Sequence, residues 1–174
     1  LFPKMMDYYG SYIGEIDFNE FLHAVNQPEF SKIRTEADEL TYTLHIIIRY
    51  EIEKGIFDGT VDIGKIEEIW NKKTKEYLGI EPESAAEGVL QDSHWAGGLF
   101  GYFPSYAIGN CYSAQIAKKL DAIIDLKKEL KEGNFILINK FLKENIHKYG
   151  KTVIPKQLMK NFTGAEMNPE ENIR

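Results

Sequence analysis

The chain has 174 residues, 21 Lys and Arg against 27 Asp and Glu, and a formal charge of −6. That acidic balance argues against binding a phosphate backbone, which needs clustered positive charge. Hydrophobic residues at 43%, with ten Tyr and ten Phe, fill a core and exclude a disordered chain. A lone cysteine, Cys111, forms no internal disulfide, so a cytoplasmic location is expected, with Cys111 read as a buried structural thiol.

Leu1-Phe2-Pro3-Lys4 lacks the basic and apolar regions of a signal peptide, and no apolar run is long enough for a membrane span. The periodicity is helical almost throughout. From Pro28 to Lys54, Phe30, Ile33, Ala37, Leu40, Leu44, Ile47 and Ile52 recur at helical steps, predicting one helix roughly 40 Å long that stops at Gly55. Asp58-Gly59 is a turn signal that allows a short β-hairpin near Ile56–Val61. A helix follows over Ile63 to Leu78, stopped by Gly79, and Ser84 to Glu87 reads as a capping box opening a short helix through Asp92. Further helices are expected over Pro104 to Glu132, Asn134 to Tyr149 and Pro155 to Gly164. The fold class is all-α, and no linker or composition shift divides residues 1–174, which read as a single helical region.

No HExxH, thiolate cluster, GxSxG elbow or phosphate loop is present, so no metal ligand is named in this chain. Two segments carry candidate chemistry. In Ile33-Arg34-Thr35-Glu36-Ala37-Asp38, helical spacing puts Arg34, Asp38, Thr41 and His45 on one stripe. Asp38 then either holds the Arg34 guanidinium as a fork for a carboxylate ligand or forms a solvated i, i+4 ion pair. In Gly88-Val89-Leu90-Gln91-Asp92-Ser93-His94-Trp95, with Tyr102 and Tyr106 beyond a glycine-rich bend, His94 and the tyrosines are either oxyanion donors or an aromatic turn with satisfied polar tips.

These residues resemble the IRxxAD and GxxQDxHW motifs of the thermostable (Taq-type) carboxypeptidase family, zinc metallopeptidases that remove C-terminal residues from peptides. Both motifs match in full, and the stretch from Gly101 to Asn110 is similar to the family's own sequence. The HPF, DxRxT, HExxH and HES/GQ motifs upstream of IRxxAD, which hold the zinc ligands and the general base, are missing. The resemblance therefore implies the C-terminal third of such an enzyme, catalytically silent alone. Zinc (or cobalt in its place) belongs to the complete enzyme, and none is expected in this chain.

The resemblance also implies roles. Arg34 binds the substrate's terminal carboxylate and Asp38 orients it. His94 donates to the oxyanion, with Asp92 fixing its tautomer. Tyr106, with Tyr102 as the alternative, is the second donor, and Tyr112 is a further candidate placed on the same helix side as Tyr106. The implied partners are a peptide with a free C-terminus and either the missing N-terminal portion or a second copy in a homodimer, with no nucleic acid and no membrane. Two other readings stay open: a non-catalytic helical binding or scaffolding module, and a metal-dependent helical protein using His94 and His45. An exposed apolar face, expected on the long helix, would mark a severed part and speak against the free-standing module.

Overall fold

The computed structural model describes residues 2–172, with side chains to residue 170. It divides into two compact units, one running through Ser93 and the other from His94. No linker marks the division, because it falls inside the GxxQDxHW motif. Among the described residues every regular element is helical, as expected of the fold class, and no helix is long and apolar enough to cross a membrane.

The first unit opens with two helices that periodicity had not signalled, α1 (Phe2–Ile13) and α2 (Phe18–Asn26). A capping box explains the second start: Asp17 Oδ1 accepts from the Glu20 amide at 2.9 Å, and Glu20 Oε2 accepts from the Asp17 amide at 2.9 Å. The core of this unit is α3 (Glu39–Asp58) packed on α4 (Ile66–Leu78). Ile46, Ile48 and Ile52 of α3 and Trp70 and Leu78 of α4 are buried.

The predicted long helix from Pro28 is corrected at both ends. Its first eleven residues form an irregular segment with a single 3₁₀ turn at Arg34–Glu36, and α3 starts only after Asp38. The Asp38 carboxylate caps α3 from outside, so it sits in extended backbone (ψ 169°) and breaks the helical stripe. At the other end Gly55 lies inside the helix. A Cβ there would fall 2.4 Å from Val61 Cγ2, and the Thr60 and Val61 amides both donate to the Gly55 carbonyl at 2.9 Å. Gly59 (φ +77°) makes the actual stop, so Ile56–Asp58 are helical and the hairpin does not form.

Residues 84–92 are a run of turns and not the predicted helix. The second unit contains α5 (Pro104–Asp121), α6 (Leu126–Glu132), α7 (Phe135–Asn145) and α8 (Pro155–Thr163). The single helix expected over Pro104–Glu132 is split because Asp125 accepts from the Lys128 amide at 3.0 Å and starts α6 afresh. Likewise α7 ends at Asn145 and a 3₁₀ turn covers His147–Tyr149. Phe103, Cys111, Leu120 and Met159 are buried in this unit, Cys111 as expected.

Candidate functional site

The IRxxAD motif meets the Gly88–Ser93 part of the other motif within the first unit. The Gln91 side chain accepts from the Arg34 amide at 2.8 Å and donates to the Lys32 carbonyl at 3.1 Å and the Glu87 carbonyl at 2.7 Å. It clamps the backbone of one motif onto the other. The Arg34 guanidinium is gripped by Asp92: Nη2 donates to Oδ1 at 2.6 Å, and Nε lies 3.1 Å from Oδ1 and 3.2 Å from Oδ2. Arg34 Nη1 donates to the Tyr42 hydroxyl at 3.1 Å. This side-on fork fixes the plane of the guanidinium.

Asp38 has a different task from the one predicted. One of its carboxylate oxygens accepts from the Thr41 amide at 2.8 Å and the other from the Glu29 amide at 2.8 Å. It ties the chain before the 3₁₀ turn to the start of α3. The i, i+4 pairing with Arg34 does not arise, because Arg34 lies outside the helix.

Asp92 also accepts from a second guanidinium that the sequence did not bring forward. Arg49 Nε donates to Asp92 Oδ2 at 2.6 Å and Nη1 to the His45 carbonyl at 2.8 Å, while its guanidinium carbon lies 4.6 Å from the Trp70 ring centroid. Arg49 is 0% exposed. Its signal was a charged residue directly after Ile46-Ile47-Ile48, at a helical position that apolar periodicity reserves for the core.

Electrostatics follow from this packing. Burial raises the Asp92 carboxyl pKa, but the hydrogen bond from Arg34 and the charge of Arg49 outweigh it, and the net movement is downward. Burial pulls Arg34 down, and the Asp92 hydrogen bond and charge reverse this to a net rise. Burial dominates at Arg49, lowering it to about 10, so it stays charged at neutral pH. His45, 2% exposed, is lowered to about 4 by burial first and then by Arg49 and Arg34. A neutral imidazole thus stands beside the arginine pair.

That shift has a measurable consequence. Between pH 6.5 and about 4 the unfolded chain binds a proton at His45 that the folded chain refuses, so stability falls as pH drops through this window. The full contribution is about 3 kcal/mol. Urea midpoints measured from pH 7 to 4.5 are expected to decline in the parent chain and to decline less steeply in His45→Gln. Equal slopes would contradict a neutral, buried His45.

In the second unit, His94 Nε2 lies 3.0 Å from the Tyr106 hydroxyl oxygen. The His94 ring is 4.5 Å from that of Phe103 and 5.6 Å from that of Tyr102. Phe103 is buried, whereas Tyr102 is 45% exposed. Gly98 (φ +74°) and Gly101 (φ +75°) turn the chain so that Pro104 can open α5, and Tyr106 sits in its first turn. Of the two tyrosines weighed, Tyr106 makes the polar contact to His94. Tyr112 does not share its face: six residues of α-helix rotate the side chain about 120° away. Within its own unit, Asp92 serves the arginines.

Among the described residues no group of three or more His, Cys, Asp or Glu is placed to hold a metal ion. His45 and His94 belong to different units.

Comparison with known proteins gives the family. The family model for Carboxypeptidase Taq (M32) metallopeptidase matches residues 1–174. Carboxypeptidase 1 of Bacillus subtilis is 49% identical over 155 residues, 88% of this chain and 31% of that protein. Thermostable carboxypeptidase 1 of Thermus thermophilus is 40% identical over 164 residues, 94% of this chain and 32% of that protein. The crystal structure of BsuCP superposes with a TM-score of 0.93 at 44% identity, covering 99% of this chain and 35% of its own. The chain therefore spans about a third of the length of these relatives, and it belongs to the Taq-type (M32) metallocarboxypeptidase family.

Proposed function

We propose that this chain is the substrate-positioning part of a zinc carboxypeptidase that removes C-terminal residues from peptides. In this reading the first unit supplies the carboxylate anchor, Arg34, and the second supplies the oxyanion donors, His94 and Tyr106. The observation that carries it is the fork between Arg34 and Asp92, which joins the two family motifs in one buried cluster. A guanidinium held in one plane suits a carboxylate, and a terminal carboxylate is what distinguishes the end of a peptide from an internal bond. Tyr106 in the first turn of α5 brings its hydroxyl to 3.0 Å from His94 Nε2, near enough for both groups to turn toward one developing oxyanion.

Zinc, with cobalt as a substitute, would be held by the part of the family fold that lies outside this chain, and it would activate water and polarise the scissile carbonyl. Without it the chain is expected to be silent. The same remaining part is the partner we propose for α1 and α2, with homodimerisation of the whole enzyme as a further step. Neither helix buries a residue, and Tyr8, Tyr12, Phe18, Leu22 and Val25 are exposed, Tyr12 to 87%. Apolar surface of this kind favours a part of a larger body over a free-standing scaffolding module. It lies on α1 and α2 more than on α3, where the sequence had placed it.

A chimera tests this. The chain is set in place of the matching third of the Bacillus subtilis carboxypeptidase and supplied with Zn²⁺. It is expected to release the C-terminal residue of an N-blocked peptide, while the chain alone releases none. A folded chimera that releases nothing would overturn the reading.

A further inference from the structure

Asp92 alone would suffice to pair Arg34, so the second arginine needs a reason. Burying a guanidinium completely is costly, and an apolar residue at position 49 would fill the same space between Trp70 and α3 without that cost. What Arg49 provides is direction. Arg34 takes Asp92 Oδ1 at 2.6 Å, while Arg49 takes Oδ2 at 2.6 Å, so the carboxylate is held from two sides. The contacts that fix Arg49 include the Asp92 oxygen, the His45 carbonyl at 2.8 Å and the Trp70 face at 4.6 Å. Two of these anchors, His45 and Trp70, lie on the packed α3–α4 core. Arg34, by contrast, sits on a 3₁₀ turn of three residues, tied to Gln91 through its amide and to Tyr42 of α3 through Nη1.

We infer that Arg49 is a positioning residue for carboxylate recognition, acting on Arg34 through Asp92. It transfers the rigidity of the helical core to a guanidinium carried by an irregular segment. The inference rests on the carboxylate role of Arg34 proposed above. If Arg49 is weakened, Asp92 turns about its side chain, the plane of Arg34 tilts with it, and the substrate's carboxylate meets a misaligned fork. Displacements on the order of 1 Å in such contacts change rates by about 100-fold.

The test uses the active chimera and peptides ending in a free carboxylate or in an amide. Arg49→Lys keeps the charge and loses the Nε direction. It is expected to raise KM for the free acid by about 10-fold with kcat changed by less than about 3-fold, leaving the amide unaffected. Trp70→Phe, which loosens Arg49 without removing any charge, is expected to move KM the same way by a smaller factor. Thermal melts of each variant exclude global unfolding. If Arg49 acts through Arg34, Arg49→Lys adds less than about 2-fold once Arg34 is already Ala.

An Arg49→Lys effect that persists undiminished in the Arg34→Ala background would overturn the inference, as would unchanged KM in both folded variants. Failure of the underlying reading looks different: Arg34→Ala itself would then reduce activity on acid and amide equally.

Discussion

Replacing Asp92 with Ala is expected to destabilise the first unit by about 3–5 kcal/mol, the usual loss when one partner leaves a buried ion pair. Both arginines depend on it: Arg49 is fully buried and Arg34 nearly so, and each has a 2.6 Å bond to this carboxylate. Against a typical folding stability of about 5–15 kcal/mol, such a loss is large enough to leave much of the unit unfolded at 37 °C. The urea midpoint of the chain measures it, and a loss below about 1 kcal/mol would contradict the described pairing.

A companion variant separates stability from function. Replacing Arg34 and Arg49 with Met and Asp92 with Leu together removes every charge at once, and such exchanges are often neutral or stabilising. The triple variant is therefore expected to recover most of the stability lost by Asp92→Ala. Recovery would mean that the cluster is retained for recognition, because an apolar core serves the fold as well.

The sequence made much of this architecture legible. The stops at Gly79 and Gly164 are both left-handed caps in the structure, and the helices before them lie where periodicity placed them. Periodicity failed between Pro28 and Asp38 because Phe30, Ile33 and Ala37 extend the apolar rhythm of α3 backwards. The backbone among them is instead bound, at Lys32 and Arg34, to Gln91, 57 residues away from Arg34 in the chain. A local pattern holds no record of such a partner. The same blindness misassigned Asp38. One turn of separation suggested a pair with Arg34, while the true partner, Asp92, lies 58 residues on.

The two motifs and the stretch after them named Arg34, Asp92, His94 and Tyr106, but the resemblance gave Arg34 to Asp38 where the structure pairs it with Asp92. Arg49 stood in no motif and needed the packing of α3 on α4 to be seen. Gln91 stood in one, as a letter without a task, until its side chain was found bridging Lys32, Arg34 and Glu87.

Carboxylate recognition by Arg34 is the central claim, and substitution of that residue in the active chimera tests it most directly. The initial rate of C-terminal residue release is compared for one N-blocked peptide as its free acid and as its amide, with Arg34 intact and with Arg34→Ala. A lost charge-paired anchor corresponds to about 2–5 kcal/mol, or a fall of roughly 30- to 5,000-fold in kcat/KM on the free acid. The amide, which offers no carboxylate, is expected to lose no more than about 3-fold. Equal losses on the two peptides would show that Arg34 supports the fold and does not read the substrate's end.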